Sequence, residues 1–259
     1  MLVYNNREGH DAELLARFAE PSWNNPVMRF LNASGEDILP RKDRLWTRHA
    51  VAQRLVQVLN EAGRPAPRWL ELAQEELAPG PRQTLTFAMH CYWVGEVKLG
   101  ALDGVLATRA GWYDGEEVVE VEYDPQRVTA KKLVAKAKQL ECASTVWAHD
   151  DGQAKALGLP KIDGRARDTQ PSEQWYRLRR TPLRLLPMTP LQATRVNAAI
   201  GAGTRDDADG VLSPRQQALA RKLEDTWAKH RERLEGLEPP RSIDALDEYL
   251  AKLQKTLGD

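Results

Sequence analysis

The sequence predicts an α/β chain of the α+β kind, with a mixed front, a small βαββαβ unit in the middle and a mainly helical end. Three observations predict it. From Thr84 to His149, apolar-alternating runs and amphipathic runs succeed one another as strand, helix, strand, strand, helix, strand. Within that stretch "EEVVEVEY" alternates almost perfectly, and Asp114-Gly115 just before it is a hairpin turn of the kind that tolerates positive φ. After residue 150 the strands give way to helices with matching starts. Thr189 and Ser213 are hydroxyl N-caps, each followed by proline at the first helical position and by Gln192 or Gln216 at the third, a capping-box pattern. The expected parts are 1–80, 81–150 and 151–259.

Taken in order, "MLVY" is a short strand run and "DAELLARFAE" an amphipathic helix with Leu14, Leu15 and Phe18 on one face. "NPVMRFLNASGEDILP" reads as strand, turn, strand, with "NASGED" at the turn. Thr47 to Ala62 and Arg68 to Leu77 are helical, broken by "GRPAP". In the middle part, "TLTFAM", "GVLATRAGWY", "EEVVEVEY" and "STVWAH" are strands. "CYWVGEVKLGAL" and the run capped by Thr129 are helices. This order is the ferredoxin-like unit, whose antiparallel sheet runs 4-1-3-2. Beyond it, "DGQAKALGLP" is a short helix, "SEQWYRLRR" is strand-like or extended, and "RDDADG" is a turn. The chain closes on an amphipathic helix capped by Ser242.

Composition narrows the function classes. Lys+Arg and Asp+Glu are both 37, so the formal net charge is zero, which argues against a dedicated nucleic-acid or anionic-membrane binder. No window is long and apolar enough for a membrane span, and the start shows no basic-then-apolar signal segment. Two cysteines far apart in sequence are no disulfide framework, so the expected compartment is the cytoplasm. The five histidines are scattered without ligand spacing, and no cofactor or metal is expected.

The chemistry concentrates at "FAMHCYWVGE". Cys91 ends the first strand of the middle unit and opens its first helix, beside free backbone N–H groups and the positive helix end, an environment that favours a nucleophilic thiolate. The Asp114-Gly115 hairpin brings Trp112, Tyr113, Glu116 and Glu117 to the same end of the sheet. The second helix also ends there, so Cys142 on the neighbouring strand shares that rim with Cys91. The plainer readings are a small buried core cysteine, a solvated strand glutamate and core aromatics.

"CYWVGE" resembles the G-C-F-W-x-x-E signature of A-type peptide methionine sulfoxide reductases, with His90 for the glycine and Tyr92 for the phenylalanine. "LDGVLATRAGWYDGEEVVEVEYDP" is similar to two further segments of that family, and places Glu117 on its catalytic glutamate. The resemblance implies Cys91 as nucleophile, Glu117 as acid, Cys142 as a resolving thiol, and Tyr92, Trp93 and Tyr113 as the substrate pocket. It also implies a thioredoxin-type reductant or a protein substrate as partner. Two family segments that supply a tyrosine and an aspartate are absent; Tyr92 or Tyr113 could stand in for them.

"DAELLARFAEPSWNNPVMRFLNASGEDI" resembles the back half of a thioredoxin fold, with Pro26 where that fold carries its cis-proline. The front part is therefore expected to be a truncated thioredoxin-like unit, with coding sequence continuing upstream. The whole layout, including "TPLRLLPMTPLQATRVNAA", is similar to the bacterial VPGUxxT thioredoxin-like (seleno)protein group. Two other readings stay open. One is a non-catalytic redox or scaffold protein. The other is a heavy-metal-binding module, since that family shares the βαββαβ order and places M-x-C-x-x-C where Met89, Cys91 and Val94 stand.

Overall fold

The computed structural model describes residues 3–4, 7–20, 27–240 and 243–258. They separate into two compact units, 1–78 and 79–259. Pro26 and Ser242, named above, lie outside the described residues.

The first unit holds α1 (His10–Arg17), the two-residue strands β1 (Val27–Met28) and β2 (Lys42–Asp43), α2 (Arg48–Glu61) and α3 (Arg68–Leu77). The hairpin is closed at its tip by an isolated Leu31–Asp37 bridge, and the Asn32 side chain accepts the Ser34 and Glu36 amides. The strands are shorter than expected, and Val3 and Tyr4 carry no strand. Thr47 caps α2 by accepting the Ala50 amide, as a threonine N-cap should.

The second unit begins with β3 (Gln83–Ala88), α4 (Tyr92–Gly100), β4 (Val105–Tyr113), β5 (Glu116–Tyr123), α5 (Ala130–Gln139) and β6 (Val146–Ala148). The expected 4-1-3-2 order is found, as β6-β3-β5-β4, with one more strand, β7 (Arg167–Asp168), added beyond β4. The β4–β5 turn is the Asp114-Gly115 pair, both at positive φ. Gly111 is needed beside β7, because a side chain there would meet the Arg167 carbonyl at 2.7 Å. Just beyond, the Gln174 side-chain amide accepts from the Ala110 N–H and donates to its carbonyl, continuing the edge pairing without a strand.

One face of the sheet carries the main core, with Leu85, Phe87, Val119, Val121 and Tyr123 packed against Leu99, Leu133 and Ala137 of α4 and α5. The other face holds Ala88, Val118, Trp147, Ile162 and Ala166. The remaining helices are α6 (Asp151–Leu157), α7 (Tyr176–Arg179), α8 (Pro190–Ala202), α9 (Arg205–Gly210), α10 (Pro214–His230) and α11 (Leu246–Leu257). Both capping boxes form. Arg195 of α8 donates to the Leu102 and Val105 carbonyls at 2.8 and 2.9 Å, which ties the helical end to the loop after α4.

Two expectations are corrected. "RDDADG" is helical, because Arg205 pairs with Asp209 one turn on and with Glu224 of α10. "SEQWYRLRR" is not a strand: it is a 3-10 turn (Pro171–Glu173) followed by α7, with Trp175 in the left-handed region at φ 49° between them.

Candidate active site

The site grows from the β3–α4 junction. Cys91 is the N-cap of α4, in extended conformation, and its side chain makes no cap bond. The helix can seat itself this close to the strand end because residue 95 is glycine; a Cβ there would fall 1.9 Å from the Met89 sulfur. The cap is supplied from across the sheet instead. Glu117, on β5, accepts the Tyr92 N–H at 2.8 Å, which puts a carboxylate at the first amide of the helix, next to Cys91 in the chain. Negative charge is favoured at that position. Cys91 and Glu117 are both half-buried, between core and solvent. The structure thus brings Cys91, Glu117 and Tyr92 together.

Two aromatic rings follow the cysteine. Tyr92 is buried and meets Trp112 edge-on at 5.9 Å and Trp93 edge-on at 6.1 Å. Its hydroxyl shares a 3.2 Å hydrogen bond with Thr169. The Trp93 indole N–H donates to Glu173 at 2.8 Å, and its ring lies stacked on Tyr176 at 3.9 Å. Thr169, Glu173 and Tyr176 were not anticipated from sequence. The signal that could have found them is the aromatic pair Trp175-Tyr176 inside a run that fails to alternate.

Two expected members are not in this group. Tyr113 is corrected to the opposite face of the sheet, where it packs edge-on against Trp147 at 5.2 Å and accepts the Asp163 N–H at 2.9 Å. Successive strand residues point to opposite faces, so Trp112, not Tyr113, shares a face with Glu117. Cys142 does lie at the expected end of the sheet, where Ser144 bonds the Ala88 carbonyl. It is, however, a core residue, 2% exposed, whose thiol donates to the Leu140 carbonyl at 3.4 Å. Burial pushes its thiol pKa up, which holds it in the unreactive form. Both cysteines are free thiols.

Glu96, the last residue of the motif, is fully buried, and neither carboxyl oxygen finds a partner of good hydrogen-bond geometry. Burial pushes its pKa up to about 8, against the pull of the backbone amides of Trp175, Tyr176 and Ala110. It is therefore a neutral acid at pH 7, held beneath the turn that carries Tyr176. No group of His, Cys, Asp or Glu among the described residues could hold a metal ion. No helix among them is long and apolar enough to cross a membrane.

No known protein-family profile matches the chain. A 110-residue alignment is 27% identical to a peptide methionine sulfoxide reductase of Drosophila melanogaster and covers 33% of this chain and 45% of that protein. The chain thus spans less than half the length of the curated relative it matches. Among solved structures, methionine sulfoxide reductase A of Corynebacterium diphtheriae is similar at a TM-score of 0.34 and 21% identity, over 49% of this chain and 86% of that one.

Proposed function

We propose that the chain is a thiol-based reductase of methyl sulfoxides. The observation that carries this reading is the Glu117 carboxylate on the Tyr92 amide at 2.8 Å, one residue from the Cys91 thiol. The partial likeness to a curated peptide methionine sulfoxide reductase supports it.

The chemistry follows from the pair. The Cys91 sulfur attacks the sulfoxide sulfur, the S–O bond breaks, and the oxygen passes to Cys91. Glu117 takes the Cys91 thiol proton and passes it to that oxygen as it develops charge. The products are the sulfide and a Cys91 sulfenic acid. A second thiol then attacks the sulfenic acid, giving a disulfide and water, and a dithiol reduces the disulfide. Cys142 is too deeply buried to serve without opening of the core. The resolving thiol is therefore supplied from outside, by a thioredoxin-type protein or by dithiothreitol in the assay.

The test is turnover of N-acetylmethionine sulfoxide with dithiothreitol by the full chain. Turnover that disappears in Cys91→Ser is expected. No turnover by the wild-type chain, with Cys91 alkylated no faster than a model thiol, overturns the reading. It would favour the non-catalytic scaffold alternative, for which the Tyr176 ring lying flat on Trp93 is the supporting observation.

A further inference from the structure

We propose that the cleft beside α7 and the end of α10 is a subsite for acidic side chains flanking an oxidised methionine in a polypeptide substrate. The proposal rests on the reductase reading of Cys91. The cleft has a volume of about 810 Å³, and Arg179, Arg180, Arg184 and Arg231 line it together with three carboxylates, Glu173, Glu235 and Glu238. The opposing charges do not cancel evenly. Glu238 serves two arginines, Arg179 at 3.0 Å and Arg184 at 3.7 Å. Glu173 is engaged by the Trp93 indole. Glu235 is exposed and makes no ion pair among the described residues.

Arg180 and Arg231 are left without a carboxylate among the described residues. Each is held by an aromatic ring instead, Arg180 at 4.6 Å over Tyr176 and Arg231 at 4.3 Å over Trp227. A guanidinium lying on a ring face keeps its N–H edge open for a carboxylate, and the planar fork is shaped to bind one through two hydrogen bonds.

The cleft borders the candidate site through Glu173, which lines it and accepts the Trp93 indole N–H at 2.8 Å. Trp93 stacks on Tyr176, and Tyr176 carries Arg180. The Arg180 guanidinium therefore stands no more than ~9 Å from the Trp93 ring, a span that an extended peptide crosses in roughly three residues. Two open forks on separate rings, in a cleft far larger than one small anion, fit acidic side chains along a peptide better than a single phosphate.

The test uses peptides of equal length with one central methionine, flanked by Glu, Gln or Lys at the third position on either side. Binding of the unoxidised peptides to the Cys91→Ser protein is read by fluorescence anisotropy, and turnover of the sulfoxide forms by the wild-type protein. We expect the Glu peptide to bind roughly tenfold tighter than the Gln peptide, the worth of one charge-assisted pair. That preference falls with added salt and disappears in Arg180→Gln with Arg231→Gln. Equal binding of all three peptides overturns the subsite, and so does inorganic phosphate binding without a preference for the Glu peptide. N-acetylmethionine sulfoxide turnover separates the two ideas. Turnover with no Glu preference removes the subsite and spares the reductase reading. A Glu preference without turnover of any sulfoxide does the reverse.

Discussion

The two faces of the β6-β3-β5-β4-β7 sheet carry acidic residues in opposite circumstances. On the far face, Glu120 is buried and fully occupied. It pairs with Arg109, accepts the Ala166 amide at 3.0 Å, and Arg109 is shared with Asp168. His149 lies on that face too, bonded to Thr86 at 2.9 Å, and burial, with the nearby Arg109, lowers its pKa. On the near face, Glu117 is only half-buried and accepts the Tyr92 amide through one oxygen, with no ion pair among the described residues. A buried carboxylate with both oxygens engaged holds structure. One with an unused oxygen beside a thiol can also move a proton.

The sharpest way to break this contrast is to change each carboxylate and compare rate with stability. Glu117→Gln keeps the acceptor for the Tyr92 amide but has no proton to give. Sulfoxide turnover should fall by about 10²–10⁴-fold, with urea unfolding little changed.

Glu96 tests a third circumstance, a fully buried acid without an ion pair among the described residues. Its folded pKa of about 8 lies above the ordinary carboxylate value of 4.5. The native state therefore holds a proton that the unfolded state has released. Stability is greatest below pH 4.5 as far as this group is concerned, declines as pH rises, and levels off above pH 8. The decline is on the order of 5 kcal/mol. In Glu96→Gln that decline should be absent from urea midpoints measured between pH 5 and 9; an unchanged decline would mean that the carboxyl is not the group titrating.

Glu120→Ala should cost about 2 kcal/mol, because the Ala166 amide loses its acceptor and Arg109 keeps only the more exposed Asp168. Activity of the fraction that remains folded should be close to that of the parent chain. The smallest effect is expected for Tyr113→Phe, which loses one bond to the Asp163 amide, worth about 1 kcal/mol, with turnover unaffected. A large rate loss there would mean that the two faces communicate.

What could be read from sequence is what local chemistry decides. The Asp114-Gly115 turn, the strand Glu116–Tyr123 and the two capping boxes all involve neighbours within four residues, and all are found, although Val118 to Val121 are buried on both faces of the sheet. Cys91 at a strand–helix junction and Glu117 near it also follow from strand order. Tyr113 was within reach of the same logic. The hairpin pairs Trp112 with Glu117 and Tyr113 with Glu116, so parity alone assigns Trp112 to the Glu117 side. The rest depends on contacts across long stretches of chain. Nothing local to "SEQWYRLRR" announces that Glu173 and Tyr176 meet Trp93, about eighty residues earlier. Nor does anything local to Cys142 announce that its thiol is sealed in the core.

The Gln174 amide against Ala110 has a consequence beyond the site. An unpaired strand edge is a template on which another chain can build. Along β4, two residues of β7 cover Gly111 and Trp112, and one side chain takes the place of a third partner at Ala110. Loss of this short segment, by proteolysis or by a substitution such as Gln174→Leu, uncovers backbone donors and acceptors of β4, beside the valine-rich β5. The chain's susceptibility to aggregate is thus governed by a handful of residues that lie outside the βαββαβ unit they protect.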